Sequence, residues 1–197
     1  MTTITSTSEP FPFPPQHSFP PFYTLQPVLS TRTSQLTSWS TLIQSYCRHH
    51  RIFQLSLRDA ADGPLFYNRA LGRRLNIKDA REVVEWMASK EGGERAEWVG
   101  GGGGKGKGGD RDKERDRFWV WWRRPEEWAG VVAAWVEATG QKNTVLTLYE
   151  LTESDATASQ EFHGMDPELL QRSLQILVKR GKAQIFGSDD SLGVKFF

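Results

Sequence analysis

The apolar residues of this chain change period twice in the same order, and that order limits the fold more than any other feature. Leu36, Trp39, Ile43, Tyr46 and Cys47 are spaced as one face of a helix, predicted over 34–48. Ile52-Phe53-Gln54-Leu55-Ser56-Leu57 then alternates as a strand does. Asp62-Gly63-Pro64 makes a turn, and residues 65–71 are predicted as a short helix stopped by Gly72. Asn76 caps a further helix, on which Ala80, Val83, Val84, Met87 and Ala88 recur at helical spacing. Ala96-Glu97-Trp98-Val99 and Phe118-Trp119-Val120-Trp121-Trp122 close the first half as strands.

The second half repeats the order. Pro125 suits a first helical turn, and Trp128, Val131, Val132, Trp135 and Val136 form one stripe behind it, ended by Gly140. A strand is predicted over 145–148 and a short helix over 149–153. Asp166-Pro167 opens a helix carrying Leu170, Leu174, Leu177 and Val178, with Gly181 after it. A hairpin follows, turning at Ser188-Asp189-Asp190. Helix, strand, short helix, helix, hairpin is the order of the winged-helix variant of the helix-turn-helix. The expected fold is therefore α+β and helix-rich: two tandem winged-helix domains, over 28–122 and 123–197.

Residues 1–27 stand apart. Pro10, Pro12, Pro14, Pro15, Pro20, Pro21 and Pro27 exclude a helix interior or a central strand. An extended, polyproline-like arm is the expectation. Phe11, Phe13, Phe19, Phe22 and Tyr23 line it, and large aromatics on a pre-extended backbone suit docking into a partner's groove. The competing expectation is that the arm hides these rings on its own domain. A third is that Pro20-Pro21-Phe22-Tyr23, a P-P-x-Y string, is a ligand for WW domains.

Several chemistries are disfavoured. With 25 basic and 24 acidic residues the net charge is +1, which supplies no field to hold a phosphate backbone. Winged helices often bind DNA, so a DNA-binding tandem winged-helix protein is the alternative reading. Against it, Lys78, Arg81 and Lys90 are offset by Asp79, Glu82, Glu85 and Glu91 on the third helix of the first domain. In the second domain Asp166 and Glu168 offset most of Arg172, Lys179 and Arg180. The glycine-rich stretch over 100–117 satisfies G-x-x-x-x-G-K through Gly101, Gly106 and Lys107. Gly108 then stands where a Ser or Thr would hold magnesium, so a flexible loop is expected instead. His17, His49, His50 and His163 have no second ligand at zinc spacing, and Cys47 is the single cysteine. No catalytic group, cofactor or metal is expected. There is no signal-like start and no long apolar run, so the expected setting is cytoplasmic.

Five strings carry a resemblance. They are Phe19-Pro20-Pro21-Phe22-Tyr23-Thr24-Leu25-Gln26-Pro27, Trp122-Arg123-Arg124-Pro125-Glu126-Glu127-Trp128, Thr147-Leu148-Tyr149-Glu150-Leu151-Thr152, Glu161-Phe162-His163-Gly164 and Gly193-Val194-Lys195-Phe196-Phe197. In order and spacing the chain resembles the small-subunit family of ESCRT-II. The resemblance implies tandem winged helices and a non-catalytic adaptor in multivesicular body sorting of ubiquitinated cargo, recruited to the endosomal membrane through its complex. It implies two copies per complex, on vacuolar protein-sorting proteins 22 and 36, with Pro20, Pro21, Phe22 and Tyr23 filling a pocket on those subunits. It also implies that the second domain binds the ESCRT-III subunit vacuolar protein-sorting protein 20. Arg172, Gln175, Lys179, Arg180 and Lys182 are the candidate residues for that contact. The loop over 100–117 is longer than the family's short turn.

Overall fold

The computed structural model describes residues 9–100, 116–187 and 192–197, so most of the glycine-rich loop (101–115) and the turn at Ser188-Asp189-Asp190 lie outside the described residues. The chain divides into two compact units, Met1–Val120 and Trp121–Phe197.

The first unit opens with two 3-10 turns, Pro15–Ser18 and Pro20–Tyr23, and continues through α1 (Leu29–His49), β1 (Gln54–Ser56), α2 (Leu57–Ala61), β2 (Tyr67–Asn68), β3 (Arg73–Arg74), α3 (Ile77–Ala88), β4 (Ala96–Trp98) and β5 (Arg117–Val120). Its sheet runs β1-β5-β4, antiparallel throughout, with Leu55 and Trp98 flanking Phe118. Trp39 and Ile43 of α1, Phe66, Val83 and Val84 of α3, and Phe118 and Trp119 have no accessible surface. Complete burial of side chains this size stabilises by roughly 1.5–3 kcal/mol each.

Three expectations change here. Helix α1 begins at Leu29, five residues before the predicted start at 34. The added turn is rich in Ser and Thr, which ordinarily compete with a helix for backbone hydrogen bonds. Here Thr33, Ser34, Thr37, Ser38 and Thr41 each donate a hydroxyl proton to the carbonyl four residues earlier, at 2.9–3.1 Å. The short helix lies at Leu57–Ala61 rather than over 65–71. Ser56 interrupts the strand by capping it, its hydroxyl accepting from the Asp59 N–H at 3.1 Å. Residues 65–71 instead enter a small hairpin, because the Asn68 side chain accepts from the Leu71 N–H at 3.1 Å and Gly72 takes φ +60°. The arm is the third change. Over 15–18 and 20–23 it is not extended: Pro15, Pro20 and Pro21 sit at the first positions of 3-10 turns, where the missing N–H needs no partner and the fixed φ suits the helical turn, while Pro14 and Phe19 keep extended backbone.

The second unit runs α4 (Pro125–Ala138), β6 (Val145–Thr147), α5 (Leu148–Glu153), a 3-10 turn (Asp155–Thr157), α6 (Pro167–Lys179), β7 (Ala183–Phe186) and β8 (Gly193–Phe196). Strand β8 lies between β6 and β7, antiparallel to both. Thr147 caps α5 by accepting from the Glu150 N–H, while the Glu150 carboxylate accepts from the Thr147 N–H, a reciprocal capping box. The Thr147 N–H and hydroxyl, both donating to that carboxylate, hold the Glu150 carboxyl below the usual range. Trp128, Val132, Leu170 and Leu174 are fully buried along the stripes read from the sequence. Val178 is half exposed and lies at the edge of its stripe.

Two adjacent glycines give a stability test. A Cβ on Gly92 would lie 1.9 Å from the Trp86 carbonyl oxygen, which belongs to the helix backbone and cannot move aside. A Cβ on Gly93 would meet nothing closer than 3.9 Å, and only its φ of +77° disfavours a side chain. Gly92→Ala is expected to cost about 2–3 kcal/mol and Gly93→Ala about 1 kcal/mol. Urea unfolding of the two variants checks the order.

Candidate functional site

The arm is built onto one face of α1. Gln35 and Trp39, one helical turn apart, hold the carbonyls of the second 3-10 turn. The Gln35 amide donates to the oxygens of Phe22 (2.9 Å), Thr24 (3.0 Å) and Pro21 (3.3 Å). Its own oxygen accepts from the Gln26 N–H at 3.0 Å. The Trp39 indole N–H donates to the Phe22 oxygen at 3.1 Å. Phe22 stacks on Trp39, ring centres 4.2 Å apart and planes 10° from parallel. Tyr23 meets the same indole edge-on at 5.7 Å, and its hydroxyl donates to the His17 carbonyl at 2.8 Å. Burial pushes the Tyr23 pKa up to about 12, so the hydroxyl keeps its proton.

The arm upstream of these turns is pinned by rings. Phe13 stacks on His17 at 4.0 Å. Phe11 meets Tyr46 edge-on at 5.2 Å and His49 at 5.4 Å, and His49 Nε2 lies 2.8 Å from the Glu9 oxygen. Between arm and helix is a cavity of about 380 Å³, walled by Phe11, Pro12, Pro14 and Phe22 on one side and Thr37, Ser38, Thr41 and Ser45 on the other.

The four residues of the P-P-x-Y string therefore divide. Phe22 and Tyr23, 6% and 3% exposed, are part of the first unit's core. Pro20 and Pro21 face solvent beside Phe19, which is 60% exposed. The string's two rings point inward, onto Trp39, rather than out toward a groove. The signal was available in Gln35 and Trp39, one turn apart on the buried side of α1, with polar groups that need partners.

In the second unit Arg172, Gln175 and Lys179 follow one another along α6, with Arg180 capping its end and Lys182 ahead of β7. Gln175, Lys179, Arg180 and Lys182 are exposed. Arg172 is tied to Glu168 at 2.8 Å. Lys142, together with the more distant Lys182, holds the Glu137 carboxyl below its ordinary range. Two of the strings that carry the resemblance meet here. Arg123 donates to Glu161 at 2.5 and 2.8 Å and lies over the Trp128 ring, while Phe162 meets Trp135 edge-on at 5.7 Å. That contact, between residues far apart in the chain, was not foreseen from the sequence.

Cys47 is buried, and its thiol pKa is pushed up by that burial, so the thiol stays protonated and unreactive. Among the described residues no three His, Cys, Asp or Glu side chains are placed to hold a metal ion, and no helix is long and apolar enough to cross a membrane.

The packing of the arm predicts its energetics. Phe22→Ala is expected to destabilise the first unit by about 3 kcal/mol. Tyr23→Phe, which loses one hydrogen bond, should cost about 1 kcal/mol. Thermal or urea unfolding followed by tryptophan fluorescence reads both.

Comparison with known proteins gives one answer. The family described as ESCRT-II complex subunit matches residues 16–166. Vacuolar protein-sorting-associated protein 25 of Xenopus laevis is 41% identical over 187 residues, covering 95% of this chain and 99% of that protein. The human protein of that name is 41% identical with 95% and 98% coverage, and the Dictyostelium discoideum one 42% identical with 95% and 96%. The fold is similar to the crystal structure of VPS25, a subunit of the endosomal trafficking complex ESCRT-II, with a TM-score of 0.76, 30% identity and coverage of 93% and 98%. It is similar also to a chain in the crystal structure of the endosomal complex ESCRT-II (VPS22/VPS25/VPS36), with a TM-score of 0.75, 29% identity and the same coverage. Matched by the family model over residues 16–166 and 41% identical to such a relative across 95% of its length, this chain belongs to the ESCRT-II complex subunit family.

Proposed function

We propose that this chain is a non-catalytic adaptor of an ESCRT-II assembly, formed of two tandem winged-helix domains and docked through its arm onto larger subunits of the VPS22 and VPS36 type. The observation that carries the reading is the 41% identity to vacuolar protein-sorting-associated protein 25 across 95% of the chain. The element order of both units supports the winged-helix assignment. The likeness to a chain of the solved VPS22/VPS25/VPS36 complex supports the partners. Two copies per complex, cytoplasmic recruitment to endosomes and a part in multivesicular body sorting belong to the same proposal.

Within it, the four residues of the docking string have separate tasks. Pro20 and Pro21, with Phe19, present apolar surface to the partner's pocket. Phe22 and Tyr23 hold that surface in shape from beneath, through the stack on Trp39 and the bond to the His17 carbonyl. A turn already fixed loses little entropy on docking, which favours affinity.

The second unit, in this reading, recruits an ESCRT-III subunit of the VPS20 type. Arg172, Gln175, Lys179, Arg180 and Lys182 offer a largely basic edge for an acidic helix. Such an edge guides association and is weakened by salt.

Two experiments test these roles. In co-expression with the larger subunits, Pro20→Ala with Pro21→Ala is expected to weaken capture by about 1–2 kcal/mol, roughly five- to thirty-fold in Kd, with the unfolding midpoint unchanged. Capture at wild-type level would remove the docking role. Native mass of the co-expressed complex reads the copy number. Charge reversal at Lys179 and Arg180 is expected to abolish binding of the ESCRT-III partner while leaving assembly with the larger subunits intact.

A further inference from the structure

The two turns of the arm meet at His17, which is 6% exposed. Its Nε2 lies 3.0 Å from the Pro64 carbonyl oxygen. A carbonyl only accepts, so Nε2 carries the proton and Nδ1 of the neutral ring is a bare lone pair. That lone pair faces the Asn68 amide nitrogen at 3.3 Å. The orientation of Asn68 is fixed twice over. Its nitrogen also donates to the His17 carbonyl at 2.8 Å, and its oxygen accepts from the Leu71 N–H at 3.1 Å. A second proton on the imidazole would set N–H against N–H, and turning the amide to offer oxygen would break both of those bonds.

Among the described residues, the surroundings supply no counter-charge to the ring. The second turn brings Tyr23, whose raised pKa keeps it neutral. The loop after α2 brings the carbonyls of Pro64 and Leu65. Strand β2 brings Asn68, and the Arg74 of β3 is engaged with Asp62 and the Tyr67 ring. On the far side of Phe13 stand Tyr46 and, against it, His50, which can only add positive charge. Burial lowers the His17 pKa, opposed only by the two carbonyls.

We propose that His17 is a pH-operated latch: neutral, it holds both turns of the arm on the first unit; protonated, it releases them and uncovers Phe22 and Tyr23. The folded-state pKa lies below the ordinary value of about 6.5. The latch is therefore complete above that value and is lost as pH falls below it, because the released arm binds the extra proton more readily. The latch adds regulation to the docking surface proposed above, and it is tested on the chain alone, so it can fail or hold whatever the partner proves to be.

The test is an NMR titration of the full chain from pH 7.5 to 5, following the His17 Cε1–H and the Trp39 indole N–H that the Phe22 carbonyl holds. The Trp128 indole in the second unit serves as the reference against global unfolding. Both first-unit signals are expected to move with one midpoint below about 6.5, and the Trp128 signal to stay. His17→Gln, whose amide can still donate to the Pro64 oxygen, should show no transition. Asn68→Asp offers a carboxylate to the protonated ring, so acidification should no longer release the arm; this variant decides the matter if His17→Gln is already released at pH 7.5. A Trp39 signal that stays fixed while His17 titrates would overturn the latch. So would release at the wild-type midpoint in Asn68→Asp.

Discussion

Trp39 is wholly buried, and its indole N–H has to find an acceptor inside the protein. The acceptor is the Phe22 carbonyl, at the end of a segment with too few backbone donors to form structure alone. That bond and the stack beneath it join two parts of the chain that sequence composition separates. Without the arm, the indole would lose its acceptor and one ring face would be open to water. Without Trp39 and Gln35, the carbonyls of Pro21, Phe22 and Thr24 would have nothing to draw them onto α1. The proline-rich segment is thus a layer of the first unit's core, carried over the helix that supports it.

The second unit is organised by a different device. Arg123 sits just ahead of α4 and reaches Glu161, well along the chain, by two hydrogen bonds while lying over Trp128. Both members of the pair are about a third exposed, so the attraction itself is screened and modest. Its contribution is geometric. A guanidinium held by both a carboxylate and a ring face has few alternative orientations, and it fixes the loop bearing Phe162 against Trp135.

The elements driven by periodicity were legible in the sequence. Helices α3, α4 and α6 fall where their apolar stripes and first turns place them, because each has an apolar face, a start fixed by Asn76, by Pro125 with Glu127, or by Asp166, and a glycine or turn behind it. The elements set by side-chain hydrogen bonds were not. The first turn of α1 depends on hydroxyls bonding back to the helix, which composition alone scores against a helix. The short helix moved because Ser56 acts as a cap rather than as a strand residue, and Asn68 and Gly72 make a hairpin turn of what looked like a helix end. In each case one side chain chose between two backbone states that the local pattern left nearly equal.

The arm shows the same limit at the site itself. Proline excludes a helix interior, but it does not exclude the first residues of a helical turn, and both 3-10 turns exploit that difference. Once the turns form, the two ends of the segment 19–23 face opposite ways. Phe22 and Tyr23 go to Trp39, while Phe19, Pro20 and Pro21 go to solvent. A motif read as four equivalent contact residues therefore becomes two buried residues and two exposed ones. The segment's aromatic content is also why the folded-back state is held: without Phe22 and Tyr23 the arm would lose the two rings it buries most completely against Trp39.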